Sequence, residues 1–116
     1  MMAKATYVRV KEYIEDNYLS STAIVDVDGV EVEVLFNYLL ISQWGKEGTK
    51  QYIIAEALWA TQNYQDAIDV LSVDATGSIV KNKDGSLTDT RSWQQNWIDN
   101  HPVPARPLTL DVDPLL

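Results

Sequence analysis

The sequence predicts an α+β domain in which helices pack on two small antiparallel β-hairpins, in the order α-ββ-α-α-ββ-α, followed by an extended C-terminal arm. Three observations predict it. Apolar and polar residues alternate symmetrically about Asp28-Gly29 in "AIVDVDGVEVEV". Apolar residues recur at helical spacing between Lys50 and Leu71. A second turn signal, "NKDG", separates two short segments ahead of a tryptophan-bearing stretch. The length of 116 residues suits a single compact domain, assigned to residues 1–101, with residues 102–116 as the arm. Hydrophobic residues make up 46% of the chain, enough for a core that needs neither disulfides nor metal.

Taken in order, Tyr7, Val10, Ile14 and Tyr18 fall three and four residues apart and predict a first helix from about Ala5 to Tyr18. The hairpin follows. Asp-Gly favours a two-residue turn because Gly tolerates positive φ and Asp often does. That turn pairs Val27 with Val30, Val25 with Val32 and Ala23 with Val34, placing six apolar residues on one buried face. The other face carries Asp26 opposite Glu31 and Ile24 opposite Glu33, and is expected to be wet. Phe36, Leu39, Leu40 and Trp44 predict a short helix ended by Gly45. Thr49 is then the expected cap of a long helix from Lys50 to about Leu71, whose polar "TQN" at 61–63 is a candidate break. Ile53, Ala57, Ala60, Tyr64, Ala67 or Ile68, and Leu71 form its buried stripe. "NKDG" suits a type I turn closing on a left-handed Gly85 in the second hairpin. A final short helix is predicted over "SWQQNWIDN", with Ser92 and Gln95 at capping-box spacing and Trp93 and Trp97 one turn apart.

Charge and composition narrow the function classes. Nine Lys and Arg face seventeen Asp and Glu, for a net charge of −8. From Glu12 to Gly45 there is no basic residue. Such a field repels nucleic-acid phosphate and anionic lipid, so neither nucleic acid nor membrane is an expected partner. The start of the chain is charged, and "VLFNYLLI" is too short to span a bilayer. A cytoplasmic protein, or one incorporated in a virus particle assembled there, is the expectation. The absence of cysteine removes thiol nucleophiles and thiolate metal sites.

The remaining motifs do not assemble a chemistry. "VKNKDGSLTDTR" has the middle of a calcium loop, but Val80 and Arg91 stand where carboxylates are required. "NYQDAIDVL" resembles the second helix of a tetratricopeptide repeat through Tyr64, Ala67, Ile68 and Leu71, without the tandem copy a solenoid needs. His101 is the one histidine and lies between Asn100 and Pro102, a poor platform for an oriented base. No enzyme, cofactor, metal site or small-molecule substrate is therefore expected. An unrecognised active site would show as a pocket of converging polar groups that includes any of Asp66, Asp69, Asp74 and His101.

The ending "PVPARPLTLDVDPLL" is where the expected function concentrates. Its prolines forbid helix. Leu108, Leu110 and Val112 alternate with Thr109, Asp111 and Asp113, and Leu115-Leu116 follow Pro114. Leaving these apolar residues in water would cost about 1.5–3 kcal/mol for each large side chain. Leu108, Leu110, Val112, Leu115 and Leu116 are thus the candidate binding residues of a docking arm that either folds back onto the chain's own hairpin edge or, with a reach of about 50 Å, crosses to a neighbouring chain by strand addition or by filling an apolar groove. The expected function is a non-catalytic interaction subunit or accessory factor of a larger assembly, with a protein partner or a homo-oligomer as the contact. The helix–hairpin–helix opening is similar in outline to small bacteriophage head-completion and connector proteins, which implies a virion component. The alternative is a small acidic inhibitor or adaptor that binds a basic protein through Asp26, Glu31 and Glu33 with the carboxylates of the first helix.

Overall fold

A computed structural model describes residues 3–15 and 20–104. The order is β1 (Ala5–Glu12), β2 (Ser21–Val27), β3 (Val30–Phe36), α1 (Leu40–Ala60), α2 (Tyr64–Ser72), β4 (Ile79–Lys81), β5 (Leu87–Asp89) and α3 (Trp93–Asp99). The fold is α+β, with a three-stranded antiparallel sheet in the order β1-β2-β3 and a separate two-stranded one, β4-β5.

The Asp28-Gly29 turn sets the register. Asp28 and Gly29 take φ of 53° and 91°, the positive angles that a two-residue turn matched to strand twist requires. Val27 pairs Val30, Val25 pairs Val32 and Ala23 pairs Val34, as the alternation predicts. Asp26 Oδ1 accepts the Gly29 N–H at 2.8 Å, and Asp28 Oδ1 accepts the Lys4 N–H at 2.9 Å. The second bond fastens the start of β1 to the turn.

The first element is a strand, not the helix its spacing predicts. Along β1, Ala5 pairs Val27, Tyr7 pairs Val25 and Val10 pairs Ala23, with register shifts between Tyr7 and Arg9 and again between Val10 and Glu12. A bulge adds one residue and so turns a two-residue period into three. Tyr7 and Val10 therefore share a face at a spacing that reads as helical. With the opening helix goes the outline shared with phage connector proteins.

The added strand makes β2 central, which explains one more departure. Ile24, on the face expected to be wet, is only 6% exposed. It lies between Arg9 and Glu33 across the two ladders, and the Lys11–Glu33 ion pair at 2.7 Å reaches from β1 to β3 over β2. Val30, expected to be buried, is 65% exposed at the turn.

On the other face α1 packs against all three strands and turns its opposite side to α2, which in turn carries α3. Ala23, Val25, Val34, Phe36, Ile53, Ala57, Leu58, Ala67 and Leu71 form one continuous core. Gly45 kinks α1 with φ 78° and ψ 173°, angles open to Gly without a Cβ penalty. Thr49 is not the cap. It is buried inside the helix, and its hydroxyl donates to the Gly45 carbonyl at 2.8 Å. The 61–63 stretch does break the long helix, with Gln62 at φ 66°. Residues 50–71 accordingly form parts of two helices.

Candidate functional site

The second hairpin stands apart from this body. Every residue from 76 to 90 is exposed, and β4 and β5 pack on no other described element. Two strands alone bury too little to be stable in water, so local bonds have to hold this one. At the tip, Gly85 takes φ 90° and its N–H donates to the Asn82 carbonyl at 3.0 Å. Asn82 Nδ2 donates to Ser86 Oγ and to Thr88 Oγ1, each at 2.9 Å, and the Ser86 hydroxyl and N–H both donate to Asp84. Those bonds hold the Asp84 carboxyl below the usual range. The calcium-like residues of the sequence are thus occupied in shaping a turn.

The base is tied more firmly. Ser92 N–H donates to the Thr76 carbonyl at 2.9 Å and Thr90 N–H to the Ser78 carbonyl at 3.0 Å. Ser92 Oγ accepts from Thr76 N–H and, as the N-cap of α3, from Gln95 N–H at 3.3 Å. Arg91 grips Asp89 through two nitrogens, at 2.9 and 2.7 Å, and reaches Asp99 of α3 at 3.3 Å. The guanidinium bonds hold the Asp89 carboxyl down at about 2. The hairpin is therefore aimed by α3 while its sides stay bare. Ile79, Val80 and Leu87 are 51%, 48% and 67% exposed, beside Lys81 and Lys83.

An aromatic clamp fixes α3 in turn. Trp93 stacks on Trp44 of α1 at 4.2 Å between centroids, nearly parallel. Trp97 is buried, and its indole N–H donates to Glu56 Oε1 at 2.8 Å. His101 stacks on Trp97 at 3.7 Å, and its Nδ1 lies 2.7 Å from the Trp97 carbonyl oxygen, for which it is the donor. The one histidine closes the helix and holds the root of the arm. Burial, followed by the charge and hydrogen bond of Glu56, raises the Tyr52 phenol to about 12.

Of the four residues singled out for an unrecognised active site, Asp74 borders a polar cleft that also holds Glu47, Gln51 and Gln94, and His101 borders a separate, aromatic one. Asp66 accepts the Ala3 N–H, Asp69 accepts from Gln65, and His101 is spent on Trp97. Among the described residues, no group of three or more His, Asp or Glu is placed to hold a metal ion. No helix among them is long and apolar enough to cross a membrane.

The acidic candidates do share the outer face of the sheet, but not alone. Glu33 is paired with Lys11, Asp26 is used by the turn, and Glu31 lies opposite Asp26. Of the carboxylates assigned to a first helix, Glu12 ends a strand that also carries Arg9 and Lys11, Glu15 lies beyond that strand, and Asp16 is outside the described residues. The arm candidates Leu108, Leu110, Val112, Leu115 and Leu116 lie outside the described residues. Sequence reasoning missed the isolation of the second hairpin, although the weak alternation of "SIVKNKDGSLTD" is the pattern of strands without a buried face. Comparison with known protein families, curated proteins and solved structures gave no match.

Proposed function

We propose that the protein is a non-catalytic interaction subunit of a larger assembly and that the β4-β5 hairpin is a docking element between copies of the chain. One observation carries this reading: a hairpin braced at its base and tip leaves Ile79, Val80 and Leu87 exposed with no other described element against them. An unpaired strand edge is a template for strand addition. The same chain offers a matching surface. Among the described residues the outer edge of β3 is unpaired and regular, and it exposes Val30 and Leu35 on a strand that also carries Glu31. Lys81 and Lys83 of the hairpin are the complementary charges. Apolar contact supplies affinity in this arrangement, and the ion pairs supply register. The acidic-adaptor alternative draws less support, because Glu33 and Asp26 already have partners within the sheet.

Sedimentation of the full chain over a range of concentrations tests the reading. Wild type is expected to gain mass with concentration, and Leu87→Asp to remain monomeric with an unchanged melting temperature, since the side chain touches no other element. Glu31→Lys is expected to weaken the association, and Lys81→Glu placed on that background to restore part of it. A wild-type chain that is monomeric throughout would overturn the proposal.

A further inference from the structure

A groove of about 280 Å³ opens between β1, the last residue of β3 and the first half of α1, and no residue of the second hairpin lines it. Tyr7, Val10, Phe36, Ile41 and Ile53 line it, and Lys46 and Lys50 border it. Lys50 Nζ stands 5.2 Å from the Tyr7 ring centroid and meets its nearest carboxylate, on Glu47, at a loose 3.9 Å. Lys46 has no ion-pair partner among the described residues. In a chain of net charge −8, two such cations beside an apolar trough select an extended peptide that is apolar on one side and acidic on the other.

We propose that the groove is a peptide-binding site and that in the isolated chain its occupant is the chain's own segment Leu108–Asp113. Leu108, Leu110 and Val112 provide the apolar side, and Asp111 and Asp113 the charges for Lys46 and Lys50. Reach is sufficient. His101 borders the same cleft as Trp44, and Trp44 stands one helical turn beyond Ile41 in the groove. The seven residues from His101 to Leu108 extend to about 25 Å. A tether that short gives the segment an effective concentration on the order of millimolar, which favours its own groove over that of another copy. The surface also needs cover, because among the described residues the outer edge of β1 is unpaired and the strand exposes Val8 and Val10 at 44% and 39%, with Tyr13 just beyond it at 45%. Its two register shifts interrupt any long ladder, so the side chains fill the groove and the backbone adds little.

Carbodiimide cross-linking of the full chain, followed by peptide mass spectrometry, tests this. Lys46 and Lys50 are expected to couple to Asp111 and Asp113. In a mixture of ¹⁴N- and ¹⁵N-labelled chains, each coupled peptide pair is expected to be wholly light or wholly heavy. Leu110→Asp keeps the acids and spoils the apolar match, so the yield at Lys46 and Lys50 is expected to fall tenfold or more. Mixed-isotope pairs would overturn the proposal by assigning the site to a second copy. So would equal coupling to Lys4, Lys81 and Lys83, or a yield that Leu110→Asp leaves unchanged. Leu87→Asp is expected not to affect this readout, which separates failure of the groove from failure of the hairpin interface.

Discussion

At Tyr52 a single side chain registers its surroundings. Its ring sits beside Trp44 and Trp93, and Glu56 lies one turn further along α1. Burial is the main reason that its phenol is raised to about 12 from 10, and Glu56 adds to it. Folding therefore holds the neutral phenol. The stabilisation linked to this group is complete below pH 10 and is lost as pH rises from 10 to 12. A difference titration of tyrosinate absorbance between wild type and Tyr52→Phe should show one phenol ionising well above the ordinary range. Glu56→Gln should bring that step down without restoring 10, because burial remains while the charge is gone. The amide oxygen still accepts from Trp97, so the clamp on α3 survives the change. A Tyr52 step at 10 in wild type would count against both the burial and the carboxylate.

Among the elements, the second hairpin separates two kinds of glycine. Gly77 and Gly85 take φ of 88° and 90°. A Cβ at Gly85 would meet nothing within 4 Å, whereas at Gly77 it would lie 2.0 Å from the Thr90 carbonyl oxygen. Gly85→Ala should therefore cost about 1 kcal/mol of local stability, the usual penalty of the left-handed region. Gly77→Ala pushes against backbone that no rotamer can relieve, and should open the base of the hairpin. Amide exchange over residues 78–91 should then accelerate far more in Gly77→Ala than in Gly85→Ala, and equal effects would refute the distinction. The turn itself was legible from "NKDG" because turn chemistry is local. So were the Asp28-Gly29 register and the break at 61–63. The opening strand was not, since a bulge gives Tyr7 and Val10 a helix-like spacing and only the ladder to β2 distinguishes the two. The isolation of β4-β5 was equally hidden, because whether a strand has a neighbour is a property of the tertiary fold. Of the site, the Lys-bearing turn and the acids of β3 could be read from sequence, but not that Lys11 would come to lie over Ile24 against Glu33.

Across the whole molecule these differences predict an order of opening. β2 is paired on both edges and covered by α1, with Ala23 and Val25 wholly buried. Its amides can exchange only when the sheet comes apart, so they report global unfolding. The hairpin has no such cover among the described residues, and its own short ladder with the bonds at its base and tip resists its opening. In dilute protein the amides of Ile79–Lys81 and Leu87–Asp89 should therefore exchange orders of magnitude faster than those of Ser21–Val27. The proposed association through the hairpin should change one half of that order and leave the other. On raising the concentration, β4 and β5 should gain protection together with the outer edge of β3, while β2 keeps its own rates. Leu87→Asp should abolish the concentration dependence at both places. Protection that rises uniformly over the chain would instead indicate a general stabilisation, and protection at the hairpin without β3 would move the docking surface elsewhere on the neighbouring copy.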